Sequence, residues 1–269
     1  MPSTGTTSTA DPSTGRSPAA FGAPHGPAPG SSAAVRLFCL PYAGGSAAVY
    51  RSWGAALGPR FPVTAVEYPG RGRRIREPVA TSASALVDLL VAELAEDMRA
   101  TPFAIFGHSL GGRLAFQLAH ELGRRGLPRP RRLFVSAAAA PFHLGWGALH
   151  SLPEPELLAA LERLGGAPAE ALANREFVEF MLPVVRADLR LAETWSFLPE
   201  EPLDIPVSLL GGISDPLVPP HEMERWRGFF AGEILRRSYP GGHFYLRTEE
   251  ESLLRDVSAA LSDALRSTE

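Results

Sequence analysis

The segment Gly107-His108-Ser109-Leu110-Gly111 sets a serine in G-x-S-x-G spacing. A serine hydroxyl is a poor nucleophile at neutral pH. It attacks a carbonyl only when a histidine takes its proton and an acid orients that histidine and stabilises the imidazolium. The apolar run Phe103-Ala104-Ile105-Phe106 precedes the pentapeptide, and Gly112 and a helical pattern follow it. That context predicts a tight strand-to-helix turn with the hydroxyl exposed at its tip and glycines where side chains would clash. Three fixed positions in five occur often by chance in a chain rich in Gly and Ser, so the flanking strand and helix carry the inference.

In α/β-hydrolases, where a serine stands on such a turn, an Asp or Glu and then the histidine follow it in the chain. Of the seven histidines, His120, His143, His150, His221 and His243 lie after Ser109. His120 falls on the helix leaving the turn and is expected to point away, and His143 and His150 fall at the start of a helical insertion. His221 opens a helix after Pro219-Pro220, where exposure and capping explain it. His243 stands in Tyr239-Pro240-Gly241-Gly242-His243-Phe244-Tyr245, a glycine-loosened loop after the last expected strand, and is the candidate base. The candidate acid is Asp215, in Gly211-Gly212-Ile213-Ser214-Asp215-Pro216, in a turn just after an apolar strand. An aspartate before proline also starts turns, which is its alternative role. Asp204 precedes that strand and Asp188 falls on an inserted helix, so neither is expected at the site.

Charge developing on a substrate carbonyl oxygen needs backbone donors already in place. One is expected from the N–H of Leu110. The other is expected from the small-residue loop Pro41-Tyr42-Ala43-Gly44-Gly45-Ser46, at Ala43 or, one residue earlier, at Tyr42. No phosphate-cradling G-x-x-x-x-G-K-[ST] or G-x-G-x-x-G spacing follows this strand.

Positioning these groups takes an α/β framework. Short β-prone runs alternate with helical patterns from Val35 onward, which predicts a mostly parallel central sheet flanked by helices. Strands are expected over Arg36–Leu40, Val63–Glu67, Phe103–Phe106, Leu133–Ser136, Val207–Leu210 and Ile234–Ser238. Helices are expected over Ala47–Leu57, Ser82–Met98, Gly112–Leu122, Pro220–Phe230 and Glu249–Leu265. Between Phe142 and Leu203 the alternation stops: Pro153–Leu164, Pro168–Leu172 and Arg175–Trp195, the last kinked at Pro183, read as successive helices. Leaving one strand's C-terminal end, this insertion is expected to form a lid over the edge where α/β sites lie. The domain organisation is therefore a tail (1–33), a core in two parts (34–141 and 204–269) and a lid (142–203). The tail is Ser, Thr, Pro, Gly and Ala with almost no large apolar side chains and is expected to be disordered. Leu157, Leu158, Leu161, Phe177, Phe180, Met181, Trp146 and Trp195 of the insertion either line a chamber or pack among themselves.

The 269 residues suffice for a large α/β core without staples, and the single cysteine, Cys39, reads as a buried strand residue. The net charge of −3 gives no general attraction to nucleic acid, although all 26 basic residues are arginine. That bias, with abundant alanine, fits a GC-rich coding genome. No apolar run reaches the ~18 residues of a membrane span and no secretory signal is evident, so neither nucleic acid nor membrane is an expected partner and a cytoplasmic location is expected.

The segments quoted above, together with Tyr68-Pro69-Gly70-Arg71-Gly72-Arg73 and Gly241-Gly242-His243-Phe244-Tyr245, closely resemble the type II thioesterases, free-standing hydrolases that accompany polyketide synthases and nonribosomal peptide synthetases. The resemblance spans nearly the whole chain from Val35 and implies the α/β-hydrolase fold. It also implies an editing activity: hydrolysis of thioesters on the phosphopantetheine arm of acyl or peptidyl carrier domains, by a monomer with no cofactor of its own. Residue by residue, it implies Ser109 as nucleophile, His243 as base, Asp215 as orienting acid, and Ala43 with Leu110 as oxyanion donors. Tyr42 stands where relatives often carry another aromatic or histidine, a mild departure. The basic run Arg71-Gly72-Arg73-Arg74-Ile75-Arg76 follows the second strand, and Arg73 and Arg74 are candidate contacts for an acidic carrier or its phosphate, the alternative being a solvated charge run. Two rivals share these residues: a product-releasing thioesterase or carboxylesterase on the same fold, and a catalytically silent binding module.

Overall fold

The computed structural model describes residues 34–141 and 147–266. The expected tail, and Phe142, His143 and Trp146 at the start of the expected lid, lie outside the described residues.

Six strands form one sheet: β1 (Arg36–Leu40), β2 (Val63–Ala65), β3 (Phe103–His108), β4 (Leu133–Ser136), β5 (Val207–Gly212) and β6 (Ile234–Tyr239). Their order is β2-β1-β3-β4-β5-β6 and each neighbouring pair is parallel. Every residue of β3 and of β5 is buried, as a parallel sheet covered on both faces requires. Successive residues of β1 divide between the two layers. Phe38 and Leu40 join the core under α2 (Ala83–Ala100) and α3 (Leu110–Arg124), whereas Leu37 and Cys39 join Tyr50 and Trp53 of the opposite layer.

Strand ends depart from expectation where propensity says least. β3, β5 and β6 run on to His108, Gly212 and Tyr239 because each of those residues has a ladder partner, His108 facing Ser136 and Gly212 facing Tyr239. β2 stops at Ala65 rather than Glu67. The Glu67 carboxylate instead accepts from the Ala47 N–H at 3.0 Å.

Helix α2 begins after Ser82, whose side chain accepts from the Ala85 N–H at 3.1 Å. The helix expected over Ala47–Leu57 is a 3₁₀ turn, Ala47–Tyr50, and a short α1 (Trp53–Leu57). Between β4 and β5 lie α4 (Glu154–Arg163), α5 (Ala169–Leu172) and α6 (Arg175–Glu193), with Pro183 inside α6. Leu157, Val178, Leu182, Val185 and Leu189 form a small core of their own within this insertion. The chain then returns through α7 (Pro220–Glu224) and the 3₁₀ turn Arg225–Phe229 to β6, and ends in α8 (Tyr245–Thr248) and α9 (Glu250–Arg266).

The C-terminal end of the insertion is fastened to the core by Arg113 of α3, which is buried. Its guanidinium donates to Ala139 O at 3.0 Å and to Ala192 O at the end of α6, and stacks over Trp195. Trp195 in turn donates its indole N–H to Gln117 at 2.9 Å. Burial lowers the Arg113 pKa to about 10, which still leaves it charged at neutral pH. Arg113→Met leaves two carbonyls without this donor and should lower unfolding stability by about 2 kcal/mol in urea titrations; a change under about 0.5 kcal/mol would remove Arg113 as the anchor.

Candidate active site

The turn between β3 and α3 depends on close backbone approach. Ser109 has φ 55° and ψ −117°, a strained conformation for a residue with a side chain. Its N–H donates to Ser136 O at 2.8 Å. A Cβ on Gly107 would stand 2.1 Å from Gly111 O, and one on Gly111 would stand 2.1 Å from Leu40 O at the end of β1. Only glycine fits either place, and the second contact presses the turn against the loop that follows β1.

His243 and Asp215 reach this turn from the loops after β6 and β5. His243 Nε2 lies 3.0 Å from Ser109 Oγ, and His243 Nδ1 lies 2.8 Å from Asp215 Oδ2. The two loops meet closely, since a Cβ on Gly212 would lie 2.3 Å from Gly242 O. The other carboxylate oxygen of Asp215 accepts from the N–H groups of Leu217 at 2.8 Å and Val218 at 3.0 Å. The aspartate thus serves its turn with one oxygen and the histidine with the other. Burial alone would raise its pKa, but the hydrogen bond and charge of His243, with those two N–H donors, hold it below the ordinary carboxylate value. Ser109, His243 and Asp215 are only 5%, 3% and 3% exposed, so the hydroxyl is not open to solvent as a bare turn predicts.

A second buried polar line lies beside the imidazole, with the His108 and His243 ring centroids 5.4 Å apart. His108 Nδ1 lies 2.8 Å from Ser136 Oγ, which lies 2.7 Å from the Tyr245 hydroxyl. Burial first and the charge of His243 second push His108 well below the ordinary imidazole value, keeping it neutral beside the site.

In the loop after β1 the Gly44 N–H is occupied, donating to Asp188 at 2.8 Å. The N–H groups of Tyr42 and Ala43 make no hydrogen bond to any described residue. Leu110 opens α3, where an N–H has no acceptor within the helix. The loop after β1 and the turn after β3 both leave the C-terminal edge of adjacent strands, with these N–H groups unbonded among the described residues. Beside them lies a cavity of about 320 Å³, walled by Leu161, Phe177, Phe180 and Met181 of the insertion and by Tyr42, Ala43 and Phe244 of the core. The other apolar residues of the insertion have different work: Leu157 is buried in its own core with Leu158 against it, and Trp195 packs on α3.

The remaining candidates separate. His120 lies on α3 against Phe116 and Phe197, His150 pairs with Glu193, and His221 is exposed. Arg74, expected as a carrier contact, is instead buried at 5% exposure. It binds Glu77, Glu93 at 3.0 Å and Glu67 O at 3.2 Å, because acidic partners on α2 and its own turn draw the guanidinium inward. Arg73 is exposed. Asp188, which falls on an inserted helix and is not expected at the site, touches the loop beside Ala43. No periodicity or motif marks that contact.

Residues 35–261 match the family model described as Thioesterase domain. With this sheet, this turn and this match, the chain belongs to the thioesterase family, on the α/β-hydrolase fold. Its relatives include the thioesterase PikA5 of Streptomyces venezuelae, 38% identical over 86% of this chain and 82% of that protein. Among solved structures it is similar to the RedJ thioesterase of the prodiginine pathway of Streptomyces coelicolor, at 38% identity and a TM-score of 0.81 over 85% of this chain and 91% of that one. It is also similar to YbtT, a type II thioesterase of the yersiniabactin pathway, at 28% identity and a TM-score of 0.81 over 92% and 100%. No described helix is long and apolar enough to cross a membrane.

Because the Asp215 pKa is depressed in the folded chain, its contribution to stability is present above the unfolded value of about 3.9 and is lost as pH falls through the lower folded value. Asp215→Asn should therefore lose less unfolding free energy than the wild type between about pH 4 and pH 2, read by denaturant titration at each pH. Equal acid slopes in the two proteins would contradict the depressed value.

Proposed function

We propose that this thioesterase is a type II, editing enzyme that clears acyl groups from the phosphopantetheine arm of acyl or peptidyl carrier domains. The observation that carries the proposal is the unbroken line Asp215–His243–Ser109, at 2.8 and 3.0 Å, in a chain whose relatives serve polyketide and nonribosomal peptide pathways. Ser109 is the nucleophile. His243 takes its proton as Oγ attacks the thioester carbonyl and passes that proton to the departing thiol. Water activated by His243 then releases the acid from the acyl-enzyme. Asp215 orients the imidazole and stabilises its charged form. The N–H groups of Ala43 and Leu110 meet the oxyanion of each tetrahedral intermediate. The proposed acting unit is the monomer.

The inserted helices act as the lid of the acyl chamber, and the apolar wall formed by Leu161, Phe177, Phe180 and Met181 supports an aliphatic acyl group there. The phosphopantetheine belongs to the substrate. Arg73, exposed beside the cavity wall at Gly70–Gly72, is the arginine retained as a carrier contact.

The decisive assay follows release of acetyl, propionyl, malonyl and longer acyl groups from an isolated carrier domain by intact-protein mass. Ser109→Ala should reduce every rate by about 10³-fold or more. Comparable wild-type rates across the series support editing, whereas one strongly preferred long acyl group would favour product release, and faster turnover of oxygen esters would favour an esterase. In a separate comparison, Arg73→Glu should raise KM for acyl-carrier substrates and leave KM for small thioester mimics unchanged. Equal effects on both substrates would remove Arg73 from the carrier interface.

A further inference from the structure

A buried carboxylate of the insertion touches the loop after β1. Asp188, on α6, is 1% exposed and accepts the Gly44 N–H at 2.8 Å across 144 positions of sequence. Its carboxylate also receives both terminal nitrogens of Arg71, Nη2 at 2.9 Å from Oδ1 and Nη1 at Oδ2. Arg71 is itself buried and reaches Gly45 O at 3.2 Å and Pro69 O at 3.3 Å. One ion pair therefore joins the loop after β1, the loop after β2 and helix α6.

An apolar contact fixes the same point. Gly44 has φ +76°, and a Cβ there would stand 2.6 Å from Val185 Cγ2, one helical turn before Asp188. The loop is tight, closed by the Gly45 N–H on Tyr42 O at 2.8 Å. In so short a loop, anchoring the peptide between Ala43 and Gly44 sets the plane of the preceding one, which carries the Ala43 N–H. A buried ion pair kept for stability alone has no need to spend an acceptor on this N–H, since apolar side chains of similar volume often stabilise as well.

We infer that Asp188 is a positioning residue for the oxyanion site: its carboxylate, held by Arg71, orients the loop so that the Ala43 N–H meets the charge that develops on the substrate oxygen. This rests on the thioesterase mechanism proposed above. Asp188 touches no reacting atom and acts through Gly44. It also makes the donor geometry depend on where α6 sits, although α6 supplies none of the three groups in the hydrogen-bonded line.

The test uses the full chain and two paired variants that leave no buried charge unpaired. Arg71→Met with Asp188→Leu removes the acceptor, and Arg71→Met with Asp188→Asn restores a neutral one. Three quantities are read: kcat and KM on an acyl-carrier thioester, affinity for a trifluoromethyl ketone that forms a tetrahedral adduct at Ser109, and affinity for a thioether substrate analogue. The leucine pair should lose about 30-fold in kcat with KM changed less than about 3-fold, and should lose ketone affinity by a similar factor while keeping thioether affinity. The asparagine pair should recover kcat and ketone affinity to within about 5-fold of wild type. A folded leucine pair with kcat within about 2-fold of wild type, equal weakening of both inhibitors, or a folded asparagine pair with no recovery would each overturn the inference. If the leucine pair does not fold, ketone affinity in the asparagine pair still decides it. Absence of thioester turnover by the wild type would overturn the thioesterase reading alone, because the ketone comparison does not depend on turnover.

Discussion

Ser109 is held in a backbone conformation that a residue with a side chain rarely adopts, at a cost of about 1–3 kcal/mol. Such strain persists only where the surroundings leave no other choice, and here they do so from three sides. Gly107 and Gly111 let the two limbs of the turn approach within the space of a single methyl group, β1 presses Leu40 O against Gly111, and Ser136 O of β4 holds the Ser109 N–H. β1, β3 and β4 are adjacent in the sheet, so the turn is braced by parallel neighbours whose register is set by the hydrophobic core. The loops bearing Asp215 and His243 leave the next two strands on the same edge, and reach a serine that is already aimed.

Burial is the second condition. With Ser109, His243 and Asp215 nearly sealed, each hydrogen bond of the line works in a medium of lower dielectric than water, where both an aligned charge and an unpaired polar group count for more. The site answers by pairing the groups closest to the serine. Asp215 divides its two oxygens between His243 and two backbone donors, and His108 is kept neutral within its own line through Ser136 to Tyr245. The His108 and His243 rings lie 5.4 Å apart, centroid to centroid, so charge on both would be repulsive.

The arginines have more structural work than composition suggests. A chain with 26 arginines and no lysine reads as codon bias, yet Arg71, Arg74, Arg113 and Arg132 are all buried and each finds acceptors. A planar, weakly hydrated guanidinium can satisfy several carbonyls and carboxylates at once, which a lysine ammonium at the end of a flexible stem does less well. Arg113 secures one end of the insertion and Arg71 its contact with the loop after β1, so two of these four residues decide how the inserted helices sit on the core.

The sequence alone determined the order of elements, the parallel sheet and the serine turn, and singled out Ser109, Asp215 and His243 as the candidates that the fold brings into one hydrogen-bonded line. Each rests on features readable along the chain: apolar runs, glycines where the backbone must approach, and the order in which a serine on such a turn is followed by acid and histidine in this fold. It could not determine which arginine of the run after β2 faces outward, because the partners of Arg74 lie on a separate helix, nor which apolar residues of the insertion wall the cavity and which pack among themselves. The contact between Asp188 and Gly44 was equally invisible, since it spans 144 positions and follows no period. Tertiary structure decided these points for one physical reason: buried polar groups must be paired, and their partners are chosen by proximity in the folded chain.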